Sequence, residues 1–214
     1  MSGIKQPYPV ELHFEIEDAK AALRTAIRAT RNSRSERLRQ EAAQHFASVV
    51  LAIPEVRTAQ TVGLYVSRPA EPSTATLMHL LDAMGKRILL PVLGSGLTRN
   101  WAPFVDMDDL QERAPGRPPE PSSEGLGEDA LALADVVIAP ALAVDTRGQR
   151  LGQGGGWYDR ALAFVRPGVP VIALCFPEEV YDATERPIPT EEHDLPVSAV
   201  ATTTNYQVLP VSGV

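Results

Sequence analysis

The residues best equipped for chemistry lie in one short run, Arg150-Leu151-Gly152-Gln153-Gly154-Gly155-Gly156-Trp157-Tyr158-Asp159-Arg160. Glycines give the backbone access to left-handed conformations and let a ligand come close to the amides. Amides that open a helix point at an anion, and the helix dipole favours its charge. Phosphate is the natural guest. The spacing is not a P-loop, because no Gly-Lys-Ser/Thr follows, nor is it a clean dinucleotide fingerprint with an acidic partner about 20 positions on. A glycine-rich tight turn from strand to helix accounts for the same composition, so both uses stay open. Asp159 also has two roles: a carboxylate beside bound phosphates holds Mg²⁺, and an aspartate in a first helical turn complements the dipole.

Further charged groups stand elsewhere. Lys20, Arg24, Arg28 and Arg31 share one helical stripe. Such a stripe either reaches a polyphosphate or is a solvated face. Glu71, between Pro69 and Pro72, follows an apolar run. Ligands of open sheets bind at the carboxyl ends of strands, where a carboxylate accepts hydrogen bonds from an amino-pyrimidine; an ordinary loop glutamate is the alternative. Glu191-Glu192-His193-Asp194 is a second metal carboxylate source or a polar loop, with too few ligands for zinc. Cys175, the single cysteine, sits in the apolar run from Val171 and reads as core.

Groups so scattered need a scaffold to converge. The chain has 214 residues, 44% hydrophobic and 22% charged, a composition expected of one soluble domain spanning 1–214. A net charge of −7 and few aromatics argue against nucleic-acid partners. One cysteine, no signal peptide and no stretch of about 20 apolar residues predict a cytoplasmic protein without a membrane partner. Residues 1–14 read as irregular, with Pro7 and Pro9 blocking helix. Helices are predicted over 17–31 and, from a Ser33–Glu36 capping box, to Leu51, where Pro54 ends the second. From there short apolar runs alternate with helical ones. Strands are expected at 61–66, 87–92, 134–139, 171–175 and 199–202. Helices are expected over 74–84 (capped by Ser73), 128–133 and 158–165. Strands apolar on both faces and separated by helices predict an α/β fold, Rossmann-like, with a mainly parallel sheet covered on both faces. Residues 112–127, rich in Pro, Gly and Ser, read as a long surface loop.

Several ordered segments together resemble the 5-formyltetrahydrofolate cyclo-ligase family, the methenyltetrahydrofolate synthetases. They are Lys20-x-x-Leu23-Arg24, Glu71-Pro72-Ser73-Thr74, Gly85-Lys86-Arg87, Asp145-x-x-Gly148-x-Arg150 running on through Arg160, and Glu192-His193-Asp194-x-Pro196. The resemblance implies a cyclo-ligase fold and an ATP-dependent ligase that closes 5-formyltetrahydrofolate to 5,10-methenyltetrahydrofolate, releasing ADP and phosphate. It implies ATP as co-substrate, Mg²⁺, a reduced folate as small-molecule partner, and a monomer or weak homo-oligomer. Lys20, Arg24, Arg150 and Leu151 to Tyr158 are implied ATP contacts, with Arg150 and Lys20 catalytic. Asp159 and Asp194 are implied Mg²⁺ ligands. Val66, Glu71 and Gln153 to Trp157 are implied folate contacts. The chain departs from the pattern at Trp157, where tyrosine is frequent, and at Gln153 and Gly155, where some members carry basic residues. Two other readings compete: a non-catalytic nucleotide- or folate-binding module of the same fold, and a sugar-phosphate isomerase or CoA-transferase-like enzyme on a similar sheet.

Overall fold

The computed structural model describes residues 6–8, 15–93, 99–113 and 115–210. Most of the stretch 1–14 therefore lies outside the described residues. Among the described residues, ten strands and five α-helices follow in order: α1 Ile16–Asn32, α2 Glu36–Ala52, α3 Pro54–Thr58, β1 Thr61–Gly63, α4 Ala75–Ala83, β2 Arg87–Val92, β3 Asn100–Pro103, β4 Val136–Pro140, β5 Ala143–Asp145, β6 Arg150–Leu151, α5 Trp157–Leu162, β7 Val171–Leu174, β8 Val180–Tyr181, β9 Ala199–Ala201 and β10 Tyr206–Val208.

Seven strands form the main sheet in the order β10-β9-β7-β4-β1-β2-β3. The five inner strands run parallel, and an antiparallel strand closes each edge. This is the mainly parallel α/β architecture expected from the alternation. Side chains alternate between two cores as the pleat requires. Val62, Ile88, Leu90, Val136, Ile138 and Ile172 pack with α2, α3 and α4. Leu89, Val137, Ala139, Val171 and Ala173 pack on the other face with Trp101, Ala161 and Leu162. Cys175 is fully buried there. Burial and then the Glu179 carboxylate push its thiol pKa up, so it is the inert core residue expected.

The second sheet, β6-β5-β8, was not predicted. Its strands are two or three residues long, too short to show a period. Leu23 and Ile27 of α1 cover it together with Leu142, Leu151 and Tyr181. That packing fixes the helix bearing Lys20 and Arg24.

Local corrections have simple causes. Ser35, not Ser33, caps α2, accepting from the Leu38 amide at 3.4 Å; Ser33 finishes α1, its amide donating to Ala29 O. Thr74, not Ser73, precedes α4, and its hydroxyl donates to Tyr65 O at 2.7 Å instead of capping the helix. Pro54 ends α2 and also starts α3, where a missing N–H costs nothing. The strand expected to reach Val66 ends at Gly63; the Leu64 amide still donates to Leu89 O at 2.9 Å, and the chain then turns into the site. The helix expected over 128–133 is a 3₁₀ turn, Ala130–Leu133, and that over 158–165 ends at Leu162.

Candidate active site

A cleft of about 620 Å³ opens at the carboxyl ends of the central strands. Tyr65, Val66 and Glu71 after β1, Pro91 and Leu93 at the end of β2 and Pro140 at the end of β4 form one side. The glycine loop from Gly152 to Gly156, α1 and the 191–194 loop form the other. Basic side chains outnumber acidic ones along it: Lys20, Arg24, Arg68, Arg99, Arg117, Arg150 and Arg160 against Glu17, Glu71, Asp159, Glu191 and Asp194. On a chain of net charge −7, that local excess suits a polyanion. The residues that the resemblance implies for ATP, folate and Mg²⁺ line this cleft: Lys20, Arg24, Val66, Glu71, Arg150 to Asp159, and Asp194.

The approach to the glycine loop is built by Asp145 and Gly148. Asp145 is fully buried, and its carboxylate accepts from the amides of Arg147, Gln149 and Ile188 at 2.9, 3.1 and 3.2 Å. Gly148 has φ +87°, and a Cβ there would lie 2.6 Å from Val197 O. These two residues shape the hairpin that aims Arg150 and the loop. Arg24 Nε donates to Gly152 O at 3.1 Å. Gly154 has φ +99°, and a Cβ on it would meet the Arg24 guanidinium at 3.3 Å, so glycine there lets the arginine rest on the loop.

The stripe on α1 is no solvated face. Lys20 is only 4% exposed and donates to Glu191 Oε2 and Asp194 Oδ2, both at 2.6 Å. Burial opposes its charge, but the two carboxylates more than offset that, and its pKa lies above the ordinary lysine value. Burial likewise raises Asp194, yet the Glu191 amide and the Lys20 ammonium outweigh it and hold the carboxyl below its usual range. Arg28 donates to Gln153 Oε1 at 2.8 Å and to Gln153 O at 3.0 Å. Gln153 Nε2 in turn donates to Glu71 Oε1 at 2.9 Å, so one amide links α1, the glycine loop and the loop after β1. Arg31, the last of the stripe, does not reach the cleft; it pairs with Glu179.

The sign of the Asp194 shift gives a prediction. A depressed folded pKa stabilises the fold above the unfolded value near 3.9, and that stabilisation is lost as pH falls through the folded value. The raised Lys20 pKa acts the other way: its contribution is present below about 10.4 and lost above the raised value. Urea midpoints of the wild type and Asp194→Asn should therefore differ most between about pH 5 and 9. They should converge as pH falls through the lowered folded value of Asp194. A gap that stays constant as the solution is acidified until the protein unfolds would exclude the pairing.

Arg150 and Asp159 form a second ion pair. Arg150 Nη2 lies 2.5 Å from Asp159 Oδ1, with the arginine side chain 2% exposed. Its Nε has no partner among the described residues, nor have Trp157 Nε1 and Tyr158 Oη. Burial, with Glu71 second, holds the Tyr158 phenol far above its ordinary pKa, so it is a neutral donor. Trp157 packs on Trp101 with ring centroids 5.4 Å apart. Unpaired buried donors around a cationic cleft are what an anion-binding site presents before its ligand arrives.

Glu191, His193 and Asp194 place one ligand atom each within 4.8 Å of one another. Asp159 stands outside that cluster, held by Arg150. Glu191, which accepts from Lys20, belongs to the run read as a metal carboxylate source or a polar loop; the resemblance implied only Asp194 of that run. The 112–127 loop contributes Arg117 and Pro118 to the cleft. It is pinned rather than loose: Leu126 N donates to Trp101 O at 2.7 Å and Leu93 N to the buried Glu120 carboxylate at 3.0 Å.

A family model of the 5-formyltetrahydrofolate cyclo-ligases matches residues 16–203. The chain belongs to that family. It is 33% identical to a 5-formyltetrahydrofolate cyclo-ligase of Mycolicibacterium smegmatis over 192 residues, 86% of this chain and 93% of the relative. It is also 33% identical to that of Escherichia coli over 187 residues, 82% of this chain and 96% of the relative. Its fold is that of the 5,10-methenyltetrahydrofolate synthetase of Aquifex aeolicus, with a TM-score of 0.75 and 24% identity over 91% of this chain and 95% of that one. The expected family, fold class and ATP-dependent ligase activity all stand.

Proposed function

We propose that this cleft converts 5-formyltetrahydrofolate and ATP to 5,10-methenyltetrahydrofolate, ADP and phosphate, working as one unit over residues 1–214. The observation that carries this reading is the convergence, in one cationic cleft, of the glycine loop, two lysine- or arginine-bound aspartates and the Glu71 loop. The formyl oxygen on N5 is a poor leaving group. It takes the γ-phosphoryl of ATP, its new P–O bond forming as the bond to ADP breaks. N10 then attacks the activated carbon, loses its proton, and phosphate departs as the ring closes. Such a transfer needs positioning and charge neutralisation more than a protein nucleophile.

Each residue has a part in that sequence. Lys20 and Arg24, fixed on α1, neutralise phosphate oxygens. Arg150 offers its unpaired Nε to the triphosphate while its other edge holds Asp159. The amides from Gly152 to Tyr158 line the phosphate path. Glu71, kept in place by Gln153 and by the Arg68 amide at 2.9 Å, accepts hydrogen bonds from the pterin amine, with Val66 and Trp157 beside it. Asp159 and Asp194 offer hard oxygen donors that suit Mg²⁺, and Glu191 adds a third. When bound, the ion would balance triphosphate charge between these carboxylates. Gln153 and Gly155 bring no charge of their own, but Arg28 and Arg160 stand against them.

No helix among the described residues is long and apolar enough to cross a membrane. We place the enzyme in the cytoplasm with its soluble substrates, as a monomer or weak homo-oligomer. Two variants test the division of labour. Asp159→Asn should lower kcat about 10²-fold. Glu71→Ala should raise KM for the folate about 10-fold, the cost of one hydrogen bond to a charged group, with kcat nearly unchanged. The opposite split in steady-state kinetics would overturn the assignment.

A further inference from the structure

We propose that Arg160 is a catalytic residue, its guanidinium binding the oxygens of the phosphoryl group during transfer from ATP to the formyl oxygen. The inference rests on the reading of the cleft given above. Arg160 lies one turn into α5 and faces back over the glycine loop: its Nη2 donates to Gly155 O at 3.0 Å. Its Nη1 lies 3.1 Å from where a Cβ on Gly156 would stand. The planar fork therefore rests against the backbone that lines the phosphate path, and a side chain at 156 would crowd it away.

Arg160 differs from the other cations around that path. Lys20, Arg24 and Arg150 are each tied to carboxylates. Among the described residues Arg160 has no carboxylate partner, and its one described bond uses a single donor of the five a guanidinium carries. Its charge is left for a ligand. Arg150 is buried and locked by Asp159, whereas Arg160 is exposed and held by one backbone carbonyl. Phosphoryl transfer spreads charge over the equatorial oxygens as the group moves between two ends, and a side chain held this lightly can follow it. Arg68 and Arg99 also border the cleft, but no described bond ties either to the glycine loop.

The step balances without a proton on Arg160 moving. A lone pair of the formyl oxygen forms the new bond to phosphorus. The electron pair of the bond between γ-phosphorus and the bridging oxygen leaves with ADP. Arg160 gives up Gly155 O, donates to two non-bridging oxygens and returns when phosphate leaves.

Steady-state kinetics on Arg160→Ala, Arg160→Gln and Arg160→Lys test this, with guanidinium chloride added at sub-denaturing concentration as a rescuing agent. Arg160→Gln keeps an N–H donor but loses the charge and the five-donor fork, so with Arg160→Lys, which keeps the charge, it separates donor, fork and charge. The expected result is a fall of about 10²-fold in kcat for both Ala and Gln at saturating substrates. KM for the folate should stay within about threefold. Lysine should restore only part of the rate, because a point charge lacks the bidentate fork. Added guanidinium should raise kcat of Arg160→Ala and leave the wild type unchanged. A kcat for Arg160→Gln within about threefold of wild type, or a loss confined to KM for ATP with no response to guanidinium, would overturn the proposal. If the folded wild type itself fails to turn over, the reading of the cleft falls and this assignment with it.

Discussion

Lys20→Ala should lower kcat/KM for ATP by about 10³-fold, near 4 kcal/mol. Two losses combine. The ammonium no longer meets the phosphates, and Glu191 and Asp194 lose the cation that sits 2.6 Å from each. Both carboxylates then face the triphosphate with one cation fewer between them, so part of the attraction becomes repulsion. The side chain is almost fully buried, which keeps water from screening the change. Lys20→Arg keeps the charge and should recover most of the loss in stability but less of the rate, since a planar fork does not fit between two carboxylates as a compact ammonium does. Rates varied against ATP, with unfolding midpoints for both variants, check this. A loss below about tenfold for Lys20→Ala would show that the ammonium is not a phosphate contact.

The largest effect on stability is expected away from the cleft. Arg31 and Glu179 are 1% and 0% exposed and form a two-pronged pair: Nε to Oε1 and Nη2 to Oε2, both at 2.7 Å. Arg31 also donates to Ala141 O at 2.7 Å, and Glu179 accepts from the Phe176 amide at 2.9 Å. The pair thus joins α1 to the ends of β4 and β7. Removing one partner strands a buried charge, which costs about 3–5 kcal/mol. For a chain of this size Arg31→Ala or Glu179→Ala should lower Tm by about 6–20 °C. A double replacement by apolar residues of similar volume, Arg31→Met with Glu179→Leu, should recover part of the loss. Recovery stays incomplete because Ala141 O and the Phe176 amide remain without partners. Thermal melts of the three variants decide it; a drop under about 2 °C for the single variants would contradict the pairing.

Lys20 and Arg24 were legible as a stripe with Arg31, and the resemblance supplied their task. Nothing local distinguished Arg31, because its partner lies 148 residues away and a buried ion pair leaves no periodic trace. The parallel strands were legible since each is apolar on both faces. The edge strands were not: β3 offers only Trp101 and Ala102 to the core, and β10 is largely exposed. The short strands β5, β6 and β8 are set by tertiary pairing under α1. In the site, the glycine loop, Asp159, Asp194 and Glu71 could be named from residue types and order. Glu191 could not be told from its neighbours in a polar run until Lys20 was seen between it and Asp194. The link from Arg28 through Gln153 to Glu71 joins three separate segments and is visible only in the fold.

The most direct measurement is absorbance at the methenyl-folate band, with ADP counted in parallel, after mixing the purified protein with 5-formyltetrahydrofolate, ATP and Mg²⁺. The expected result is a rise that needs all three components, with one ADP formed per methenyl group. A folded protein that binds both ligands, read through the tryptophan pair at the cleft, yet forms no methenyl product would contradict it and leave a binding module in place of the enzyme.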